Sequence, residues 1–311
     1  MNDKNKKILL DIEDRQKAFY TISNRVEILN EGFRALYADY LHHIDIKSGK
    51  DEILKLKENI DFRLFSSKFH LELLLRQHFA IESRIQGIYQ KDPGKVLNEV
   101  YPSHPLFDHC EQEITAIFDS IIFHLASVYD YLSAIINFIC NKKDKSITKW
   151  SQIAKACRDK GNIYNRKNIA TVIGSENDNF VDKLYRYRSR VIHEKSDINP
   201  ISFTLQIASG KTDVKFIATE AIVKSFKFLK EKSKTHNITV SYASEWLIHE
   251  TIDSIIKVLF GLKEEMEAMS TFPDHIGGSD LIILYNDPET GFAVPVSKPM
   301  WANVRAKSSS R

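Results

Sequence analysis

From about Lys6 to Ile46 apolar side chains recur at steps of three and four, as in Ile22, Val26, Leu29, Phe33, Leu36 and Tyr40, and no proline interrupts them. A strand would need steps of two, so this spacing predicts one long amphipathic helix. A second helix is expected from about Asp51 to Tyr89, open to a break near Asn59, with Leu71, Leu74, Leu75, His78 and Phe79 on one side. The connecting DIKSGKDE carries the glycine expected just after a helix end. Residues 1–100 are thus expected to form a long N-terminal helical hairpin.

The segment QKDPGKVLNEVYPSHPLFDH holds three of the chain's eight prolines and marks a boundary, because proline cannot continue a helix. Beyond it the periodicity predicts helices over about Asp108–Asn141, Ile147–Gly161 and Asn177–Lys195, the last stopped by Pro200. Ile201–Ile207 and Asp213–Ala218 alternate around a Ser-Gly turn, the pattern of a β-hairpin at about 201–218. Helical spacing returns in EAIVKSFKFLKEKSK and YASEWLIHETIDSIIKVLFGLKEEMEAM, completing a bundle over residues 101–270. The tail 271–311 reads as a small β-hairpin followed by a basic, Ser-rich end. The expected fold class is all-α: a helical bundle with a long N-terminal hairpin, an inserted β-hairpin and a small C-terminal appendage.

At 311 residues, with 43% hydrophobic and 27% charged residues and only 11 Gly, the composition is that of a globular protein rather than a low-complexity one. Cys110, Cys140 and Cys157 are scattered and odd in number, which supports neither a disulfide framework nor a zinc ribbon. The N-terminus has too short an apolar run for a signal peptide. Ile121–Cys140 has the length of a membrane span but contains His124, Asp130 and Asn137, which are costly in lipid, so it is read as a buried helix. A cytoplasmic location without membrane association is the expectation.

The net charge of +3 is unevenly distributed. Asn141–Asn168 carries a local +7 and Lys183–Lys195 a local +4, leaving −8 for the remainder. Concentrated basic charge suits a surface that meets phosphates, although a solvated basic face has the same composition.

Familiar catalytic signatures are missing. HETIDS at His249 begins like a zinc-protease helix but has Asp253 where the second imidazole should stand. His42 and His43 are adjacent and diverge, and His70 and His78 have only Glu72 and Glu82 as carboxylate company. No GxGxxG, P-loop or GxSxG occurs, so no metal or cofactor is expected.

What survives is LYRYRSRVIHEK, Leu184–Lys195, in which Arg188 and His193 are separated by four residues. With a long helix bearing internal polar residues before it, YRYRSRVIHE resembles the motif helix of the HEPN superfamily, marked by an RX4-6H motif in a bundle of four to five helices. Arg188 and His193 stand in the motif positions, and Ser189 occupies the place after the arginine where the family more usually has Asn, Asp or His. FDSIIFHLASVYDYLSAII is similar to the family's partner helix. The resemblance covers roughly Asp108–Met269. It implies metal-independent RNA cleavage, or RNA or nucleotide binding where activity is lost, in host defence, toxin–antitoxin systems or RNA processing. An antitoxin or nucleotidyltransferase partner belongs to the same setting.

Physical chemistry makes cleavage coherent. The nucleophile is the RNA's own 2′-OH, so the protein need supply only proton transfer, to which a histidine's ordinary pKa of about 6.5 is suited, and a guanidinium fork for the phosphate. Residues five apart on an α-helix diverge by about 140°, so Arg188 and His193 make a poor pocket on one helix. Two facing copies of the motif remove the conflict, and the resemblance implies the same arrangement, so a homodimer or a heteromer with a second such protein is expected. Around this pair, Ser189, Arg186, Arg190 and Tyr185 are supporting positions, Asp119 or Asp130 would pair with Arg186 or Arg188, and Lys142, Lys143 and Lys149 would extend an RNA track.

Alternative roles stand beside these. Arg188 and Arg190 as solvated groups or partners of Glu194 and Asp182, His193 as a helix cap, and Tyr185 and Trp150 as core are all compatible with the sequence. At the level of the whole protein, the rivals to a ribonuclease are a non-catalytic binding module or antitoxin partner, and an interaction protein that works through its N-terminal hairpin.

Overall fold

Asp14 starts the first long helix. Its carboxylate accepts the Lys17 N–H at 3.0 Å and its carbonyl accepts the Ala18 N–H at 3.0 Å, an N-cap that fixes α1 as Arg15–His43 rather than from Lys6. In the computed structural model, which describes residues 8–44, 50–94, 105–141, 147–193, 197–206, 209–270, 284–286, 291, 293–295 and 297–308, the residues ahead of that cap form a strand. β1 (Ile8–Leu10) pairs in parallel with β4 (His236–Ile238). The sequence DIKSGKDE between the first two helices lies largely outside the described residues.

The remaining elements are α2 (Lys50–Lys91), α3 (Pro105–Asn141), α4 (Trp150–Arg158), a 3-10 turn (Ile163–Arg166), α5 (Ile169–Glu176), a π-helical turn (Asn177–Val181), α6 (Asp182–His193), β2 (Ile201–Gln206), β3 (Lys211–Phe216), α7 (Glu220–Ser225), α8 (Lys227–Lys232), α9 (Val240–Met269), β5 (Leu284–Asn286), β6 (Ala293–Pro295) and α10 (Ser297–Ser308). The protein is mostly helical, with β2–β3 and β5–β6 as antiparallel pairs. It divides into two units, each assembled from three separated stretches: Met1–Ala18, Phe65–Leu125 and Lys183–Ile248 in the first, and Phe19–Leu64, Ala126–Asp182 and His249–Arg311 in the second.

In the first unit, α2 buries Leu71, Leu74, Leu75, Ile81 and Ile85, and α3 buries Ile114, Phe118, Ile121, Ile122 and Leu125, the steps of three and four that a core-facing helix requires. Phe79 is 59% exposed and does not join its predicted neighbours. His78, Glu82 and Gln86, at steps of four, form a polar stripe against β3. His78 Nε2 lies 2.5 Å from the Val214 carbonyl, Glu82 accepts the Val214 N–H at 3.4 Å, and Gln86 accepts the Thr212 N–H at 2.7 Å while donating to Gly210 O at 2.8 Å. The helix thereby satisfies backbone groups that a two-stranded ribbon would leave unpaired. Gly210 turns between the strands at φ 62, a left-handed value suited to glycine.

Asn199, fully buried, joins three parts of this unit. Its backbone N–H and its side-chain amide donate to Thr115 Oγ1 on α3 at 3.0 and 3.2 Å, and its Oδ1 accepts the Thr219 N–H at the start of α7 at 3.2 Å. Nearby, Glu111 accepts the Ile201 N–H at 2.7 Å. A second anchor is Asp11, which accepts from Thr239 Oγ1 and Ser241 Oγ and pairs with Lys215 at 2.9 Å. Burial opposes ionisation of Asp11, but the bonds from Ser241, Lys215 and Thr239 outweigh it and hold the carboxyl below its ordinary value.

In the second unit α1 buries Ile22, Leu29, Phe33, Leu36 and Tyr40, while Arg25 forms an ion pair with Asp253. The residue that spoils the zinc-protease pattern is therefore one half of an ion pair. α2 runs unbroken through Asn59, whose side chain donates to Lys55 O at 3.1 Å. Glu265, buried on α9, accepts the Asn168 N–H at 2.7 Å and pairs with Lys167 at 2.9 Å, placing a carboxylate at the start of α5. From there a helical path runs through the π turn into α6, so the helix carrying the motif is entered before Asn177. The basic, Ser-rich end folds as α10, where buried Trp301 donates to Asp39 Oδ2 at 2.6 Å. Among the described residues, α3 contains the helix long and apolar enough to cross a membrane, and 67% of its most apolar window is buried.

Removing the Asn199 side chain leaves the buried Thr219 N–H without its acceptor, at about 1–3 kcal/mol, and takes from Thr115 Oγ1 one of its two donors, the backbone N–H of residue 199 remaining. Asn199→Ala is expected to lower the unfolding free energy by about 2–4 kcal/mol in urea titrations. The Asp11 cluster also sets an acid limit. A depressed folded pKa contributes stability above the unfolded value of about 3.9, and that contribution disappears as pH falls through the folded pKa. The stability difference between wild type and Asp11→Asn is therefore expected to be full at neutral pH and to shrink below about pH 4, as read by denaturant titration across pH.

Candidate functional site

Helix α6 presents two distinct surfaces beyond its buried side. Leu184 and Tyr187 are buried. Arg186, Ser189, Arg190 and His193, at steps of three and four, form a stripe, and together with Tyr187 and Ser225 of α7 they line an open concavity of about 350 Å³. Arg188 lies elsewhere on the helix. Its guanidinium carbon sits 4.9 Å from the Phe123 ring centroid and 5.8 Å from that of Tyr185, a half-buried cation–π arrangement between α3 and α6 in which Arg188 Nε is buried.

The structure thus brings Ser189, Arg186 and Arg190 together with His193, and does not bring Arg188 into their concavity. The step of five between the motif residues has its geometric consequence: on a pitch of 3.6 residues per turn they face directions about 140° apart.

The Asn199 network fixes the start of α7, the helix that contributes Ser225 to the concavity. Thr219, whose N–H is held by Asn199, caps α7 through its Oγ1. Burial first, and then the nearby Asp119 carboxylate, push the Tyr187 phenol up to about 12. Tyr187 is therefore a neutral donor and a rigid wall at physiological pH. The Arg190 guanidinium carbon lies 5.1 Å over this ring, and its head group pairs with Asp197 at 3.0 Å. Half-exposed ion pairs of this kind contribute about 0–1 kcal/mol, so exchanging Asp197 for a phosphate costs little.

The other predicted residues divide between the two units. Asp119 belongs to the first unit and is near Tyr187. Asp130 belongs to the second, where it accepts the Trp150 N–H at 3.4 Å. Trp150 is core, 1% exposed, with its Nε1 donating to Asn177. Tyr185 is half-buried beside Arg188. Lys149 is exposed just ahead of α4 in the second unit, and Lys142 and Lys143, like Glu194, lie outside the described residues. Among the described residues no group of three or more His, Cys, Asp or Glu side chains is placed to hold a metal ion.

Sequence reasoning missed Tyr187, Ser225 and the Asn199–Thr115–Thr219 network. Thr219 before a helical run carries an N-cap signal. Ser225 carries none, because it reaches α6 only through the fold. The three cysteines are buried, and burial pushes the Cys140 and Cys157 thiols up to about 12 and about 11, which leaves them protonated and poorly nucleophilic.

Comparison of the chain with protein-family models, curated proteins and solved structures finds no match.

A double-mutant cycle between Arg188→Met and Phe123→Leu, read by urea denaturation, is expected to give a coupling of about 0.5–1 kcal/mol. Arg188→Lys is expected to lose part of it, because the planar guanidinium stacks on a ring better than an ammonium does.

Proposed function

We propose that the protein is a metal-independent endoribonuclease of HEPN type, working in the cytoplasm in a defence or toxin–antitoxin setting. The observation that carries this reading is the α6 stripe, in which two arginines, a serine and a histidine surround one solvent-open concavity of about 350 Å³. Arg186 and Arg190 supply guanidinium donors for a phosphodiester, and His193, exposed at the end of the helix, supplies an imidazole within the same lining.

The step balances without a cofactor. The 2′-OH loses its proton to a base, the 2′-oxygen bonds to phosphorus, and the bond from phosphorus to the 5′-oxygen breaks as that oxygen takes up a proton. The products are a 2′,3′-cyclic phosphate and a 5′-hydroxyl. Arginine donors stabilise the added charge on the phosphorane, the kind of contribution for which removing one donor costs about 100- to 1,000-fold in rate.

Arg188 enters this chemistry through a second copy of the chain. Its guanidinium, with exposed Ile192 and Phe123 (53% and 39% exposed), forms a surface beside the stripe on which a second α6 would be seated. Arg188 of one copy then stands beside His193 of the other, which resolves their divergence on one helix. A non-catalytic RNA- or nucleotide-binding module, or an antitoxin partner, is the second reading. It is favoured by the separation of Arg188 from the concavity.

Purified protein incubated with RNA in EDTA is expected to leave 2′,3′-cyclic phosphate ends. His193→Ala and Arg188→Ala are each expected to slow this by at least about 100-fold. Mixing the two inactive variants is expected to restore part of the activity, because a mixed dimer rebuilds one Arg188–His193 pair. RNA binding without cleavage selects the module. Cleavage at full rate by both variants, or by a monomer, overturns the two-copy enzyme.

A further inference from the structure

Resting on the ribonuclease reading, we propose that α7 and α8 form the surface that guides the sugar–phosphate backbone of single-stranded RNA away from the α6 concavity. Ser225, the last residue of α7, is already in the wall of that concavity. The segment that begins there is strongly basic: residues 220–234 hold five lysines against two glutamates, and all five lysines are exposed. Lys224 pairs with Glu220 and Lys234 with Glu231. Lys227, Lys230 and Lys232 have no salt bridge among the described residues.

Local geometry turns these charges into a track. Buried Phe226 is extended (φ −112, ψ 125) and separates the two short helices, so α8 sets out in a new direction immediately beside the concavity. Its ring packs 5.3 Å from that of Trp246, which fixes the bend. Lys227 and Lys230 are three apart and share one face of α8. Phe228, 40% exposed, stacks on Trp246 at 5.4 Å and 9°, with the Lys232 ammonium 5.6 Å over its ring. Exposed lysines beside a surface aromatic pair are the combination that single-stranded nucleic acid uses, backbone on the charge and base on the ring.

An anionic membrane is the competing partner for a lysine-rich helix. It would need a continuous exposed apolar face to insert, and here Phe226 and Leu229 are buried, leaving Phe228 as the exposed large apolar side chain of α8. The lack of a continuous exposed apolar face on α8 therefore points to RNA rather than to lipid.

The test uses the full-length chain and a 2′-O-methyl single-stranded oligonucleotide, which binds without being cut. For Lys227→Glu/Lys230→Glu, fluorescence anisotropy is expected to show at least a roughly tenfold loss of affinity and a drop of roughly 1 to 1.5 in the slope of log K against log salt, the share of two phosphate contacts. Lys55→Glu/Lys91→Glu changes the net charge equally at exposed positions elsewhere and is expected to leave affinity and slope unaltered. Oligonucleotide binding is also expected to change the tryptophan emission, through Trp246, since Trp150 and Trp301 are buried at 1% and 4%. Equal thermal unfolding midpoints establish that the variants are folded. If wild type binds RNA and the Lys227/Lys230 variant matches it, the guide surface is overturned while the ribonuclease reading stands. A wild type that neither binds nor cuts RNA overturns both. Loss of binding to phosphatidylserine–phosphatidylcholine vesicles in this variant, with RNA affinity unchanged, assigns the surface to a membrane instead.

Discussion

A single buried amide sets the geometry around the motif helix. Asn199 gives two donors to Thr115 and takes the N–H of Thr219, so the chain leaving α6, the middle of α3 and the first turn of α7 are held at hydrogen-bonding distances from one residue. In a buried setting these groups have no water to fall back on, which makes the arrangement all-or-none. Thr219 caps α7, whose last residue, Ser225, stands in the wall of the concavity.

Helix pitch supplies the second constraint. Arg186, Ser189, Arg190 and His193 fall on one stripe because their spacing follows 3.6 residues per turn, whereas Arg188 is turned away and rests on Phe123. Arg188 therefore lies outside the concavity that the stripe lines. The same pitch explains the stripe of His78, Glu82 and Gln86, which serves backbone groups of β3 rather than any reaction.

Much of the helical layout was legible from the chain. The apolar steps through Ile22, Leu29, Phe33 and Leu36, and through Leu71, Leu74 and Leu75, match the buried faces of α1 and α2. Phe79 escaped the pattern because periodicity reports which side chains are apolar, and not where a neighbouring element ends. Ile8–Leu10 looked like the first turn of a helix, yet its partner β4 is more than 220 residues away in sequence. The helix at the C-terminus was hidden by its basic, Ser-rich composition, since its place depends on one indole reaching Asp39. Asp253 illustrates the reverse case, a motif-like position whose partner, Arg25, was invisible until the chain folded.

The sequence by itself determined the helical periodicity, the placement of the β-hairpin, the concentration of positive charge around Leu184–Lys195 and the angular separation of Arg188 from His193. All of these follow from local geometry, which depends only on residue order and helix or strand pitch. Tertiary structure alone decided that Ser225 meets the α6 stripe, that Asn199 joins Thr115 to Thr219, and that the lysines of α8 begin at the edge of the concavity. Those juxtapositions join residues tens of positions apart through buried hydrogen bonds, and no spacing rule along the chain encodes them.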